Sequence, residues 1–321
     1  MACVLVTEKI NPAGPDLLAE SGHEVLDGWA MDEAALQRRL PDIEGILVRT
    51  APIPAEMIRA MPALQVISKH GVGCDNIAVA EARKAGIAVA IAADANADSV
   101  VEHTIMFMLN MARDPVLLDS MTRGDYAALR PTIKAIDIGP RTILIIGHGR
   151  IGSRLARVCK AFGMTVLIHD IKYPPDQKEV EGFRLCHDLD EALGLADFLS
   201  LHIPLTDTTK GMIGLERLRR MRPGSFVINC ARGGIIDEAA ACQALEENHL
   251  GGLACDVFSV EPISPDNPLL HAPRCMLSPH AAAFTDASLV RMSRQAGQNI
   301  HDHFNGGISP HCLYTLEALS G

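Results

Sequence analysis

The fold class follows from the segment Thr142-Ile143-Leu144-Ile145-Ile146-Gly147-His148-Gly149-Arg150-Ile151-Gly152. Its first five residues form an apolar run, which predicts a buried strand, and residues 153–162 have the pattern of a helix. The glycines between them have separate uses. Gly147 permits a tight turn, Gly149 lets the backbone approach a pyrophosphate, and Gly152 allows close helix–strand packing. Because a helix N-terminus also attracts phosphates, the stretch predicts a dinucleotide-binding βαβ unit.

An acidic residue follows the next strand at a suitable distance. Asp170 lies 18 residues after Gly152, directly behind a second apolar run at residues 165–169. A carboxylate there would bind the adenosine ribose hydroxyls and repel a 2′-phosphate, which favours NAD over NADP. Lys172, two residues further on, acts in the opposite sense. The sequence therefore predicts NAD as the cofactor. His148, within the glycine loop, is predicted to be exposed.

The same alternation of short apolar runs and helical patterns fills most of the chain, which predicts an α/β fold with parallel sheets. Helices are predicted at residues 32–40 and 54–60. The run at residues 99–113 is apolar almost all round, which predicts a helix buried between domains or subunits. Strands are predicted at residues 3–6, 45–48, 64–68, 87–90, 142–146, 165–169, 198–202, 226–229, 253–257 and 276–278.

The length of 321 residues predicts two domains. The second series of strands ends near Phe284, but a further helical pattern follows at residues 288–304, with a polar tail behind it. The simplest interpretation is that the chain returns to its first domain. We therefore expect two Rossmann-like or flavodoxin-like domains, with an NAD-binding domain at 98–284 inserted into a discontinuous substrate domain at 1–97 plus 285–321.

Composition excludes several other classes of protein. The net charge is −10 and basic residues do not cluster, so nucleic-acid binding is not predicted. The nine cysteines are single, without a CxxC pair, which indicates neither a disulfide framework nor a metal site. The sequence has no signal-peptide pattern and no apolar run of about 18 residues, so we expect a cytoplasmic protein that does not contact the membrane.

Three ionisable residues follow predicted strands of the second series. Arg232 lies in Asn229-Cys230-Ala231-Arg232-Gly233-Gly234, Glu261 in Asp256-Val257-Phe258-Ser259-Val260-Glu261-Pro262, and His280 in Ser278-Pro279-His280-Ala281-Ala282-Ala283. Open α/β sheets bind ligands at the carboxyl ends of their strands. A histidine can exchange protons near neutral pH, a carboxylate can orient it, and a guanidinium binds carboxylates in a forked geometry. The three residues therefore form a candidate catalytic group.

Together with Gly71-Val72-Gly73-Cys74-Asp75-Asn76 and Asn96-Ala97-Asp98-Ser99-Val100-Val101-Glu102-His103, these segments resemble the D-isomer-specific 2-hydroxyacid dehydrogenase family. The resemblance runs from Val48 to Thr285. It is greatest to the short phosphoglycerate dehydrogenases and the hydroxypyruvate or glyoxylate reductases. It implies hydride transfer between NAD(H) and a small D-2-hydroxy acid or 2-oxo acid. It also implies His280 as acid and base, Glu261 as its partner, and Arg232 as a substrate-binding residue.

The resemblance assigns further residues to binding. The N–H groups of Val72 and Gly73 would hold the substrate carboxylate. Arg49 and Lys69 match basic positions that could bind a phosphate or a second acidic group. The substrate is therefore expected to be 3-phosphoglycerate or phosphohydroxypyruvate, or else hydroxypyruvate or glyoxylate. The residues expected at the cofactor, besides the three glycines and Asp170, are Arg150, Ile151, Ile203, Pro204, Thr209, Cys230, Ala231, Asp256 and Ala283.

Other functions remain open at this point. Formate dehydrogenases look similar but usually pair the histidine with glutamine, so Glu261 argues against them. A phosphite dehydrogenase-like enzyme would keep both residues. An NAD-sensing protein similar to transcriptional corepressors is an alternative of another class. We also expect a homodimer with the helix at residues 99–113 at or near the interface, partly because relatives dimerise in this way.

Overall fold

The computed structural model describes residues 1–124 and 126–314, so the predicted domain residues 315–321 lie outside the described part. The strands are β1 (Cys3–Val6), β2 (Glu24–Asp27), β3 (Gly45–Val48), β4 (Val66–Lys69), β5 (Ala88–Ile91), β6 (Thr142–Ile146), β7 (Thr165–His169), β8 (Glu179–Val180), β9 (Phe183–Leu185), β10 (Phe198–Leu201), β11 (Ser225–Asn229), β12 (Leu250–Cys255) and β13 (Cys275–Leu277). The helices are α1 (Ala13–Glu20), α2 (Glu33–Arg39), α3 (Ala55–Arg59), α4 (Val79–Lys84), α5 (Ala97–Arg113), α6 (Pro115–Arg123), α7 (Tyr126–Leu129), α8 (Arg150–Ala161), α9 (Leu189–Leu195), α10 (Leu215–Arg220), α11 (Glu238–Glu246) and α12 (Asp286–Asn305).

The chain divides into two compact units. Of the described residues, the first consists of Met1–Asn96 together with 283–314, and the second is Ala97–Ala282. The first unit contains β1 to β5 and the long helix α12. The second contains β6 to β13 and the helices α5 to α11.

The sheet of the first unit is parallel throughout, with the order β2-β1-β3-β4-β5. Helix α12 packs on it beside α1, and two glycines bring these helices close together. A Cβ on Gly297 would lie 2.6 Å from the carbonyl oxygen of Gly14. The N–H of Gly14 donates to the Ser293 hydroxyl at 2.9 Å. The last helix of the chain is therefore part of the core of the first unit.

The sheet of the second unit has the order β13-β12-β11-β10-β6-β7-β9-β8, and only the edge strand β8 is antiparallel to its neighbour. Strand β6 is buried on both faces, as its apolar run predicts. Ile143 and Ile145 belong to the hydrophobic cluster on one face, and Leu144 and Ile146 belong to the cluster on the other. The chain connections reverse direction between β6 and β10, which is where such folds bind nucleotides.

The predicted fold class, α/β with two parallel-sheet domains, is confirmed, and every predicted strand is present with ends shifted by no more than three residues. The sequence missed the edge strands β2 and β8 and the short strand β9 beside β8, because none of the three has a continuous apolar run. Helix α5 is buried on one face only, since Met106 is 41% and Leu109 is 37% exposed. Within the described residues, no helix is long and apolar enough to span a membrane.

Candidate active site

The glycine loop connects β6 to α8 at the point where the sheet reverses. Gly147 has φ +94°, and a Cβ on it would lie 2.8 Å from the Ile203 side chain and against the carbonyl of His202. A Cβ on Gly152 would collide with the carbonyl oxygen of Gly147, whereas one on Gly149 would meet nothing within 4 Å. Helix α8 begins at Arg150, three residues earlier than the sequence predicted. The loop therefore leaves open space beside Gly149 at a helix N-terminus, which fits a pyrophosphate.

Asp170 directly follows β7 and holds the glycine loop. Its Oδ2 accepts the His148 N–H at 2.6 Å, and its Oδ1 accepts the Lys172 N–H at 3.0 Å. The Lys172 ammonium lies 3.6 Å from the same carboxylate and donates to the His148 carbonyl at 2.6 Å. The negative charge expected beside a ribose is therefore present, with a positive charge next to it.

The predicted exposure of His148 is wrong. Its side chain is buried, with Nδ1 2.8 Å from the Tyr173 hydroxyl and the ring packed on Phe183 of β9. Burial lowers the pKa of His148. The turn directs this side chain inward onto neighbours that follow it by 25 and 35 residues, which no local pattern indicates.

The loop after β10 carries Ile203, Pro204 and Thr209, all partly buried. The Thr209 hydroxyl donates to the Pro204 carbonyl at 2.7 Å and accepts the Thr206 N–H at 2.8 Å. Thr209 therefore fixes the shape of this loop, while Ile203 contacts the glycine turn.

Arg232 lies in the loop after β11, which is stapled by Asn229. The Asn229 amide donates to the Arg232 carbonyl at 2.9 Å and accepts the Ala231 N–H at 3.0 Å. The Arg232 guanidinium donates to the Ala231 carbonyl at 2.7 Å. Glycine is required next, because a Cβ on Gly233 would lie 2.6 Å from the Ser259 nitrogen and closer still to the carbonyl of the preceding residue. The Arg232 loop therefore packs backbone to backbone against the loop that carries Glu261.

Glu261 and His280 form a direct pair, with His280 Nδ1 2.7 Å from Glu261 Oε2. The other carboxylate oxygen accepts the Phe258 N–H at 3.0 Å. Burial raises the pKa of Glu261, but the hydrogen bonds from His280 and Phe258 and the charge of Arg232 outweigh it, so the pKa lies below its usual value. His280 has φ +53°, which is unusual for a residue with a side chain. The structure thus brings the three candidate catalytic residues together at one sheet edge.

Asp256, at the end of β12, is only 1% exposed. Its carboxylate accepts the N–H groups of Ala281 and Ala282 at 2.7 and 2.9 Å, and the Ser278 hydroxyl at 2.5 Å. In this structure, Asp256 therefore anchors the loop that carries His280, and its expected bond to the cofactor remains a prediction.

Cys230, Ala231 and Ala283 are the small residues that were expected at the cofactor. Cys230 is buried, and burial raises the pKa of its thiol to about 12, so it behaves as a small apolar residue. Ala231 and Ala283 are partly buried, in the second and first unit respectively.

In the first unit, the loop after β4 carries Val72 and Gly73. Among the described residues, neither N–H donates to another backbone or side-chain group. Gly71, directly before them, has φ +138°, a backbone conformation that favours glycine. The preceding His70 is 3% exposed, and burial lowers its pKa to about 4. The pair of N–H groups fits the predicted binding of a carboxylate.

Arg49 and Lys69 differ in their surroundings. The Arg49 guanidinium stacks 4.5 Å from the centre of the Phe284 ring. The Lys69 side chain is buried, and its ammonium donates to the Arg49 carbonyl and to the side chain of Asn76. Lys69 therefore supports the loop that carries Arg49.

Sequence reasoning missed Glu8, which follows β1. Its Oε1 accepts three consecutive N–H groups, those of residues 49, 50 and 51, at 2.8, 2.7 and 3.0 Å. Burial raises the pKa of Glu8, but the hydrogen bonds to its carboxylate outweigh this effect, so the pKa lies below its usual value. A polar residue directly after a buried strand was the available signal. In the described part of the chain, no group of three or more potential ligands could hold a metal ion.

The glycine loop lies at the switch point of a parallel sheet, and Arg232, Glu261 and His280 follow neighbouring strand ends. This arrangement defines a dinucleotide-binding protein with a group of ionisable residues at the same edge of the sheet. The family model "D-isomer specific 2-hydroxyacid dehydrogenase, NAD binding domain" matches residues 105–282. The chain belongs to the D-isomer-specific 2-hydroxyacid dehydrogenase family, as its motifs predicted.

Two curated relatives and one crystal structure illustrate the range of this family. The D-3-phosphoglycerate dehydrogenase of Methanocaldococcus jannaschii is 37% identical over 89% of this chain, which spans only 54% of that relative's length. The glyoxylate reductase of Korarchaeum cryptofilum is 35% identical over 97% of this chain and 95% of its own. An NADPH-dependent glyoxylate/hydroxypyruvate reductase of Sinorhizobium meliloti has a TM-score of 0.86 at 28% identity, with 98% of each chain covered.

Proposed function

We propose that this protein is an NAD-dependent oxidoreductase that interconverts a small 2-oxo acid and the corresponding D-2-hydroxy acid. The observation that carries the proposal is the 2.7 Å pair of His280 and Glu261, with Arg232 on the adjacent loop. We further propose that the unit Ala97–Ala282 is the NAD-binding domain and that the other unit is the substrate domain.

His280 acts as the proton donor in reduction and as the acceptor in oxidation. Glu261 holds the Nδ1 side of the ring, so Nε2 is left to exchange a proton with the substrate oxygen. The lowered pKa of Glu261 keeps the carboxylate charged, which stabilises the imidazolium form of its partner. His280 is 53% exposed on its side chain, so the ring is accessible to a small molecule.

Arg232 binds the substrate carboxylate and polarises the carbonyl that is reduced. Its planar guanidinium donates several hydrogen bonds in a fixed geometry, which a lysine cannot reproduce. The Val72 and Gly73 N–H groups supply further donors for the carboxylate. Asn229 and Gly233 hold the Arg232 backbone in place.

The glycine loop, α8 and Asp170 fit a dinucleotide, and bound NAD(H) supplies the hydride. We propose NAD as the preferred cofactor because the Asp170 carboxylate would repel a 2′-phosphate. Lys172, 3.6 Å from that carboxylate, moderates the repulsion, so measurable activity with NADPH is expected.

We propose hydroxypyruvate or glyoxylate as the substrate class. Lys69 is buried and committed to internal hydrogen bonds, which leaves Arg49 as the accessible one of these two basic residues for a second acidic group. The full-length similarity to a glyoxylate reductase supports this choice. Phosphohydroxypyruvate is the second candidate, because phosphoglycerate dehydrogenases are equally similar over the part that they share with this chain.

The test is NADH oxidation with hydroxypyruvate, glyoxylate, phosphohydroxypyruvate, pyruvate and a branched oxo acid, with His280→Ala and NADPH as controls. Turnover on the first two that is lost in His280→Ala supports the proposal. Turnover confined to the phosphorylated acid would assign Arg49 to phosphate. Absence of turnover on every acid, with NADH still bound, would favour the NAD-sensing alternative, and oxidation of phosphite would favour the phosphite dehydrogenase-like one.

We also propose that the protein is a homodimer that uses the exposed side of α5 and α6. Four apolar side chains there are exposed, with Val116 at 78% and Met106 at 41%. A groove of about 310 Å³ lies beside them, between the end of α5 and Phe162. Exposed apolar patches of this kind mark interfaces.

All nine cysteines are free thiols, which supports the predicted reducing, cytoplasmic location.

A further inference from the structure

We infer that His103 and Ser278 are positioning residues that hold His280 in place through Asp256. The inference rests on the proposed role of His280. It assigns a use to the Glu102-His103 motif, which the dehydrogenase chemistry leaves unexplained.

The three side chains form a continuous hydrogen-bonded chain. His103 Nε2 lies 2.9 Å from the Ser278 hydroxyl, and that hydroxyl donates to Asp256 Oδ1 at 2.5 Å. A serine hydroxyl has a single proton. Because that proton is given to Asp256, the hydroxyl must accept the proton of His103 Nε2. The direction of the chain is therefore fixed, from imidazole to hydroxyl to carboxylate.

His103 is itself held in place by its surroundings. It lies on α5, its side chain is 16% exposed, and its ring packs edge-on against Phe107, with 4.6 Å between ring centres. Phe107 is 2% exposed. Burial lowers the pKa of His103, and the Asp256 carboxylate opposes this effect. The ring is thus a fixed donor.

Asp256 links this chain of hydrogen bonds to residues 280, 281 and 282. Its backbone carbonyl accepts the His280 N–H at 2.7 Å, and its carboxylate accepts the N–H groups of the next two residues. His280 has φ +53°, a conformation that is unfavourable for a residue with a side chain. The loop keeps this conformation because Asp256 binds all three N–H groups.

The carboxylate of Asp256 is almost completely buried, and burying a carboxylate costs free energy unless donors bind its oxygens. Ser278 supplies the third donor, and His103 polarises that hydroxyl. Removing either weakens the hydrogen bonding of the carboxylate that anchors residues 281 and 282, and thereby the support of the loop that carries His280. A displacement of about 1 Å at a reacting group can reduce a rate about 100-fold. We therefore expect losses in kcat rather than in cofactor affinity.

The experiment compares Ser278→Ala, His103→Phe and His103→Gln with two controls at the opposite edge of the same sheet. Ser225→Ala removes a buried hydroxyl that has no partner in the described structure, and His249→Gln alters a histidine that bonds only to backbone carbonyls there. Steady-state NADH oxidation with kcat and KM determined separately, NADH affinity and the melting temperature are measured for each. The Nδ1 proton signal of His280 is followed by NMR without cofactor, assigned by its loss in His280→Ala.

We expect kcat to fall about 10- to 100-fold in Ser278→Ala and about 10-fold in His103→Phe, with NADH affinity within about twofold. His103→Gln should recover part of the loss, because its amide can still donate to Ser278. The His280 proton signal should shift or broaden in Ser278→Ala and not in Ser225→Ala. If kcat and the signal are unchanged in Ser278→Ala and His103→Phe while His280→Ala is inactive, the inference is wrong and the proposed function stands. If His280→Ala retains full turnover, the proposed role of His280 fails independently.

Discussion

Replacement of Glu261 by Gln tests the central pair of the site. Glu261 uses both carboxylate oxygens, one for His280 Nδ1 at 2.7 Å and one for the Phe258 N–H at 3.0 Å. A glutamine has a single acceptor oxygen for these two donors. If the oxygen stays with Phe258, the NH₂ group faces Nδ1 and favours the ring tautomer with its proton on Nε2. His280 can then neither accept a proton at Nε2 in oxidation nor form a stabilised imidazolium in reduction.

The expected loss follows from the strength of a charge-assisted hydrogen bond, about 1.5–3 kcal/mol. Solvent screens the pair, since the side chains of His280 and Glu261 are 53% and 35% exposed. The lower part of the range, about 2 kcal/mol, therefore applies. At about 1.36 kcal/mol for each factor of ten, kcat should fall ~30-fold.

The assay is steady-state NADH oxidation with the best oxo acid from the panel, with kcat and KM determined separately. Glu247→Gln is the matched control, because Glu247 is a surface carboxylate paired with Arg219 on α10. It should remain within about twofold of the parent. A kcat for Glu261→Gln within threefold of the parent, with His280→Ala inactive, would refute the role assigned to the pair.

Four further predictions concern other parts of the molecule. Gly152→Ala should destabilise the fold by about 1–3 kcal/mol, because its Cβ would meet the Gly147 carbonyl. Gly149→Ala should weaken NADH binding and leave the melting temperature unchanged, because its Cβ would meet nothing within 4 Å. Thermal unfolding and NADH titration of both variants separate the two effects. Burial lowers the pKa of His70 to about 4, below its unfolded value near 6.5, so stability is complete above pH 6.5 and is lost as the pH falls toward 4. Between pH 7.5 and 5.0, urea unfolding should show a drop that is about 2 kcal/mol smaller in His70→Gln than in the parent, and equal drops would contradict this. Glu8→Gln should raise KM for the oxo acid about tenfold with kcat within threefold, because a neutral amide oxygen binds the three N–H groups beside Arg49 more weakly than the charged Oε1 does, and the amide NH₂ replaces the oxygen that accepts the Thr50 hydroxyl; initial rates over a range of substrate concentrations test it. Leu109→Asp should convert a dimer of twice 34.5 kDa into a monomer in sedimentation velocity, and a parent protein that sediments as a monomer would exclude the proposed interface.

The class of fold and most of the candidate site residues could be predicted from local sequence patterns. Buried parallel strands such as β6 read as continuous apolar runs because both faces are covered, so their positions were predicted closely. The glycine loop was recognisable because its glycines lie at positions where a side chain would interfere with the turn, the helix packing or a ligand. The collisions that a Cβ would make at Gly147 and Gly152 confirm this for two of the three. The convergence of Arg232, Glu261 and His280 followed from the rule that strand ends of a parallel sheet meet at one edge.

The partners of these residues could be identified only from the three-dimensional structure. The edge strands β2 and β8 and the short strand β9 beside β8 were missed because partial exposure interrupts their apolar pattern. His148 proved buried because residues 25 and 35 positions away close over it. The contacts of Glu8 with residues 49–51 and of His103 with Ser278 join parts of the chain that are 41 or more residues apart. Such contacts depend on how the elements pack, and a reading of neighbouring residues does not contain that information.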